Sequence, residues 1–213
     1  MIFTTIFFDL DDTLYPSTTG LWGAIKERMN LYIRERVGIP VQEIAQLRES
    51  YFREYGTTLR GLQARHGVDP QDFLAFVHDL PLQEYLSPNP LLREIIDSLK
   101  PRKLIFTNAD APHARRVLNA LGLADCFETV VDVHTVEPYC KPMPESFQIA
   151  LRVAGESDPR RCVMIDDLPH TTRAAREAGL FGILYGQGGP HPDADAVLDD
   201  WRKLPALLDG SQG

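Results

Sequence analysis

The sequence predicts an α/β protein: a doubly wound, mainly parallel sheet with an all-helical cap domain inserted into it. Three observations carry that expectation. Short apolar runs recur along the chain, each followed by helical periodicity, which is the alternation of a parallel sheet covered on both faces. One long stretch, between Leu14 and about Leu86, breaks the alternation and offers only amphipathic helices. Acidic and polar residues stand directly behind the strands, where open α/β sheets place their ligand crevice.

The first strand is "IFTTIFF" (2–8), too short and too rich in β-branched and aromatic residues for a buried helix. Helical periodicity then fills 20–36, 41–54, 58–66 and 70–78, and the proline-rich "LPLQEYLSPNP" (80–90) reads as the return to the sheet. Residues 16–86 are therefore expected to form the cap, and residues 1–15 and 87–213 the α/β core. Within the core, helical patterns at 89–99, 111–121, 143–154 and 170–178 alternate with further strands. Those strands are "RKLIFT" (102–107), "ETVVDV" (128–133), "RCVMID" (161–166) and "GILY" (182–185), with Gly179 placed to end the last helix.

Charge narrows the partners. With 22 Lys and Arg against 30 Asp and Glu, the net charge is -8, which disfavours a nucleic-acid polymer or an anionic membrane. Three scattered cysteines, Cys126, Cys140 and Cys162, suit reduced thiols rather than a disulfide framework. No apolar run reaches the length of a membrane span, and no basic segment precedes the first strand, so a cytoplasmic protein is expected.

The residues behind the strands form one constellation. Asp9 and Asp11 follow the first strand, Thr107 and Asn108 the second, Asp166 and Asp167 the fourth, and Lys141 precedes a helix. In an extended segment Asp9 and Asp11 would point the same way, roughly 7 Å apart. Carboxylates gathered at one sheet edge repel one another unless a cation neutralises them, and hard oxygen ligands of this kind suit Mg²⁺. Lys141 adds positive charge for an anionic substrate or the nucleophile, and Thr107 and Asn108 offer neutral donors for phosphate oxygens. One carboxylate can attack phosphorus and a second, two residues on, can serve as acid and base. Asp12 points away from its neighbours and reads as a turn former.

On "DLDDTLY", "FTNA", the lysine of "CKPMPESF" and "VMIDDLPHT", in that order, the sequence resembles the haloacid dehalogenase-like hydrolase superfamily. "SYFREYGTTLRGL" (50–62) is similar to the pyrimidine 5′-nucleotidase branch. The resemblance implies Asp9 as nucleophile and metal ligand, and Asp11 as acid/base with its backbone carbonyl on Mg²⁺. It implies Thr107, Asn108 and Lys141 as phosphate-binding groups. Asp167 would be a metal ligand, with Asp166 ligating directly or through water. Relatives often carry Asn or Asp four residues after Asp167, where this chain has Thr171.

The expected function is thus an Mg²⁺-dependent phosphate monoester hydrolase acting on a small phosphorylated metabolite, a nucleoside 5′-monophosphate first. A phosphomutase shares these carboxylates, and a catalytically idle binding module is the non-enzyme alternative. Arg60, beside two threonines at the helix break after Gly56, is the candidate cap contact to substrate. His66, His78, His113, His134, His170 and His191 show no ligand spacing and read as scattered surface or loop residues, with His170 near enough to the fourth motif to line the site. Tyr51, Phe52 and Tyr55 read as cap core.

Overall fold

The computed structural model describes residues 2–186 and 188–210. The chain divides into two compact units, Met1–Pro16 with Leu86–Gly213, and Ser17–Tyr85.

The first unit opens with β1 (Thr5–Phe8). The second is helical, with α1 (Leu21–Tyr32), α2 (Val41–Tyr55), α3 (Thr58–His66) and α4 (Pro70–Val77). The chain then continues through α5 (Pro90–Ser98), β2 (Arg102–Phe106), α6 (Ala111–Leu121), β3 (Thr129–Val131) and α7 (Pro144–Ala154). It closes with β4 (Cys162–Asp166), α8 (Pro169–Glu177), β5 (Phe181–Tyr185), β6 (Ala196–Leu198) and α9 (Leu204–Gly210). The sheet is wholly parallel, in the order β3-β2-β1-β4-β5-β6. From β1 the connections run outward in both directions, so β1 and β4 flank the switch point where such sheets open a crevice.

Both faces of the sheet are buried, as the continuous apolar strands require. Phe7, Leu104, Phe106, Val131 and Met164 lie on one face against Phe147 and Ala150 of α7 and Ala174 and Ala175 of α8. Phe106 meets Phe7 and Phe147 edge-on, at centroid separations of 6.2 and 5.4 Å. Phe8 turns to the other face and packs on Phe127 and Trp201. Each fully buried Phe contributes about 1.5–3 kcal/mol by area alone. Gly182 lets α8 lie close on β5, because a Cβ there would come within 2.9 Å of the Thr172 carbonyl oxygen.

The helical unit has its own core. Tyr32 packs edge-on against Phe73 and Phe76, at 5.0 and 5.5 Å. Arg28 donates to the Phe76 carbonyl from Nη2 at 2.7 Å and lies over that residue's ring. Tyr51 is buried against α3, where a Cβ on Gly61 would come within 2.2 Å of its ring. Phe52, expected in this core, is instead 44% exposed. It follows Tyr51 on a helix, so about 100° of rotation turns it outward.

Three local expectations are corrected. The helix read over 20–36 ends at Tyr32 and passes into a π-helical turn, Ile33–Val37, closed by Gly38 at φ 81°. The sixth strand, Ala196–Leu198, was hidden in an acidic stretch. Asp11 does not continue the extended first strand: residues 11–14 form a turn in which Leu14 N donates to Leu10 O. Asp12 takes φ 60° there, a left-handed conformation that Asp tolerates better than most residues. Among the described residues no helix is long and apolar enough to cross a membrane.

Candidate active site

The sheet sets the site's floor. Phe8 is in register with Ile105 of β2 and Ile165 of β4, so Asp9, Thr107 and Asp166 emerge at one edge. Three carboxylates converge there. Asp9, Asp166 and Asp167 each offer an oxygen, all within 4.8 Å of one another.

One cation is built in among them. Lys141 Nζ donates to Asp9 Oδ1 at 2.6 Å and to Asp166 Oδ2 at 2.7 Å, with the lysine only 3% exposed. The Nζ also lies 5.3 Å from the centre of the Phe106 ring. Burial alone would lower the lysine, but Asp166 and Asp9 outweigh it and hold the ammonium well above its usual range. Asp9 is pushed up by its own burial, an effect that Lys141 opposes and Asp166 and Asp167 reinforce. Asp167 is raised to about 7 by burial and by Asp166.

This imbalance tests the fit to a metal. One ammonium against three carboxylates leaves two negative charges, the charge of one divalent cation, and the donors are all hard oxygens. The residues present fit Mg²⁺.

A pH dependence follows. A carboxyl whose folded pKa is raised binds its proton more tightly when folded, so its stabilising contribution is full below the unfolded value and is lost as pH rises through the folded one. For Asp167 that window runs from 3.8 to about 7. Metal-free protein is expected to lose thermal stability between pH 4 and 7. Added Mg²⁺ should raise the Tm more at pH 8 than at pH 5, and an equal rise at both would refute the account.

The sequence-predicted donors are placed unequally. Thr107 is buried, and its Oγ1 accepts from Ala109 N at 3.0 Å. Asn108, expected to offer its side chain to phosphate, also clasps the lysine loop: Nδ2 donates to Lys141 O at 3.0 Å and Oδ1 accepts from Lys141 N at 2.9 Å. Only its second amide hydrogen is left for a phosphate oxygen. Asn108 thereby fixes the residue that binds Asp9. Asp166 Oδ1 accepts from Leu168 N, at the start of α8. Thr171 is buried on that helix, and half-buried His170 is lowered by burial, with Asp166 opposing.

Sequence reasoning missed three residues. Thr13 Oγ1 lies 3.1 Å from Asp9 Oδ2 and 3.3 Å from Asp167 Oδ1, bridging two carboxylates. Tyr15 donates to Asp11 Oδ1 at 2.5 Å. His113 is not a surface or loop residue: it is 1% exposed, inside the first turn of α6, with Nε2 3.2 Å from the same Asp11 oxygen. The signal was present, since "NADAPHA" places His113 three residues after Asp110, which caps α6 by accepting from His113 N. His78 is also buried, within the helical unit. Arg60 is buried there too, 7% exposed, with Nη1 donating to Gln63 Oε1 at 2.8 Å and its backbone N bonded to Thr57 Oγ1.

A parallel sheet whose carboxyl edge gathers three aspartates around a buried lysine defines an α/β protein with an acidic cluster of hard oxygen donors. The model of one hydrolase family, described as haloacid dehalogenase-like hydrolase, matches residues 3–179. The chain belongs to that family. It is 33% identical over 193 residues to Phosphate metabolism protein 8 of Saccharomyces cerevisiae, covering 84% of this chain and 60% of the yeast protein. It is 30% identical over 215 residues to the phosphoglycolate phosphatase of Caulobacter vibrioides, covering 94% and 89% respectively. A Bacillus subtilis HAD-hydrolase solved bound to magnesium shares the fold at TM-score 0.63 and 16% identity, over 98% of this chain and 100% of that one.

Proposed function

We propose that the chain is an Mg²⁺-dependent phosphate monoester hydrolase working through an aspartyl-phosphate on Asp9. The observation that carries this is the setting of Asp9: a buried carboxylate held on one oxygen by Lys141 and on the other by Thr13, beside Asp166 and Asp167. A side chain fixed in this way can attack phosphorus without rotating.

In the first step an Asp9 oxygen forms a bond to phosphorus as the bond to the leaving oxygen breaks, and Asp11 gives that oxygen its proton. In the second, Asp11 takes a proton from a water that attacks phosphorus, and the bond to Asp9 breaks. Lys141 holds Asp9 in line and offsets negative charge on the transferring group. Mg²⁺ on Asp9, Asp166, Asp167 and the Asp11 carbonyl would supply further positive charge for attack by one anion on another. We assign Thr107, Asn108 and Lys141 to binding the phosphate oxygens, with Asn108 also keeping the lysine loop in place.

The substrate we assign is a small phosphorylated metabolite, a pyrimidine nucleoside 5′-monophosphate first. The broad class is supported by the name of the Caulobacter relative, and the narrower choice by the "SYFREYGTTLRGL" resemblance. We assign catalysis to residues 1–15 and 87–213, selectivity to the cap at 16–86, and the site of action to the cytoplasm. The test is free phosphate released from nucleoside monophosphates, phosphoglycolate and sugar phosphates, each with and without Mg²⁺. Phosphoryl transfer to a sugar without free phosphate would make the protein a mutase. Absence of Mg²⁺-dependent turnover, with p-nitrophenyl phosphate included, would leave a binding module.

Arg60 is the proposed cap contact to the nucleotide. Loss of one charge-assisted hydrogen bond costs about 1.5–3 kcal/mol, so Arg60→Ala is expected to raise KM for the nucleotide at least about tenfold while sparing p-nitrophenyl phosphate. Equal losses on both substrates would confine Arg60 to supporting α3 through Gln63.

A further inference from the structure

Two loops stand side by side at the sheet edge: residues 107–110 behind β2, and residues 132–143, with Lys141 among them, behind β3. Backbone bonds carry the pairing of the two strands into these loops. Thr107 N donates to Val131 O and Val133 N to Ala109 O, both at 3.0 Å. Further along, the Asn108 amide closes on Lys141. Between these ties lies Asp132, buried at 6% exposure, whose carboxylate serves both loops. Oδ2 accepts from Ala111 N at 2.9 Å, 21 positions away, where the first loop enters α6. Oδ1 accepts from Thr135 N at 2.8 Å and from Thr135 Oγ1 at 2.6 Å. Val136 N donates to Asp132 O, so the second loop turns at this residue before it reaches Lys141.

A buried carboxylate must be supplied with hydrogen bonds, and those it accepts are among the stronger ones in a protein. Here two of the donors are backbone amides, so holding the carboxylate also holds the chain. One oxygen fixes the start of α6 and the other fixes the turn at 132–135. The spacing between Thr107 and Asn108 on one loop and Lys141 on the other is therefore set in part through Asp132. We propose that Asp132 is a positioning residue, which joins the loops behind β2 and β3 and so sets Thr107 and Asn108 against Lys141 around one phosphoryl group. The inference rests on the reading of those three residues as the phosphate-binding groups.

Asn in place of Asp132 keeps the shape but has one acceptor oxygen, so it can serve one loop and turns an N–H group towards the donor of the other. The clustered aspartates stand behind β1 and β4, and β2 separates β1 from β3 in the sheet. Phosphate binding should suffer from the change, and Mg²⁺ binding should not.

The experiment measures the Kd of inorganic phosphate at saturating Mg²⁺, and KM and kcat for p-nitrophenyl phosphate, in the full chain carrying Asp132→Asn, Thr135→Val, Thr107→Ala or Asn108→Ala. Mg²⁺ affinity and Tm are measured for each. Asp132→Asn is expected to raise Kd and KM roughly 10–100-fold, the scale of a misplaced group, with Mg²⁺ affinity unchanged. A merely structural role would shrink the folded fraction, lowering Tm and kcat while leaving Kd and KM where they are. If Thr107→Ala or Asn108→Ala raises Kd and Asp132→Asn does not, positioning is refuted and the phosphate-binding reading stands. If neither Thr107→Ala nor Asn108→Ala raises Kd, that reading falls and the positioning proposal falls with it. An equal loss of Mg²⁺ and phosphate affinity in Asp132→Asn would mean that the whole edge has loosened, which also refutes positioning. Should Asp132→Asn not fold, Thr135→Val decides alone, since it takes one hydrogen bond from Oδ1: a raised Kd supports the proposal and an unchanged Kd overturns it.

Discussion

Asp9→Asn is expected to abolish phosphate release, by roughly 10³-fold or more, while leaving the fold intact. The amide has the carboxylate's shape but no charge with which to attack phosphorus. Its neighbours can accommodate it, since Lys141 Nζ can still donate to the amide oxygen as it does to Asp9 Oδ1 at 2.6 Å. Thr13 Oγ1, now 3.1 Å from Asp9 Oδ2, can accept from the new amide nitrogen. Burial together with Asp166 and Asp167 already disfavours the Asp9 charge against the opposing effect of Lys141, so removing it relieves repulsion. In the absence of Mg²⁺ the variant's Tm should equal or exceed that of the wild type. Phosphate release at more than a few per cent of wild-type rate would refute Asp9 as nucleophile. A large fall in Tm would show that the carboxylate's main contribution is structural.

What could be read in the sequence was what is local. A strand buried on both faces must be short and apolar, so β1, β2, β4 and β5 announced themselves, and the helical periodicity read over 111–121 coincides with α6. The acidic residues could be located because a carboxylate behind a buried strand is costly without a purpose. Polar pairings across long chain separations carry no such signature. Nothing near Asn108 says that its amide will close on the backbone of Lys141, 33 residues away. Nothing near His113 says that its ring will reach Asp11. The third strand position was legible but β6 was not, because three residues between aspartates and a tryptophan show neither length nor alternation. Asp12 was legible as a turn former, but that the turn would take in Asp11 was not: a left-handed Asp12 is a single dihedral choice that no periodicity reveals. That turn changes the chemistry, since it brings Thr13 back to Asp9 and sends Tyr15 to Asp11.

Asp11→Asn is expected to leave metal binding nearly unchanged and to slow both chemical steps, by about 10²–10⁴-fold for the loss of one general acid/base. The backbone carbonyl proposed as a ligand survives the change, and Asp11 is not one of the three clustered carboxylates. Tyr15 and His113 can still donate to the amide oxygen, so the turn should hold and the Tm should move little. The loss arises in two places. In the first step the amide cannot release a proton to the departing oxygen, and in the second it cannot take one from water. An activated aryl phosphate needs little help in the first step but the same help in the second. Single-turnover measurements with p-nitrophenyl phosphate should therefore show the nitrophenol released in a burst, followed by slow release of phosphate, as the aspartyl-phosphate on Asp9 accumulates. Wild-type protein should show no such lag between the two products. If both products appear together at a uniformly reduced rate, Asp11 does not serve as the base of the second step.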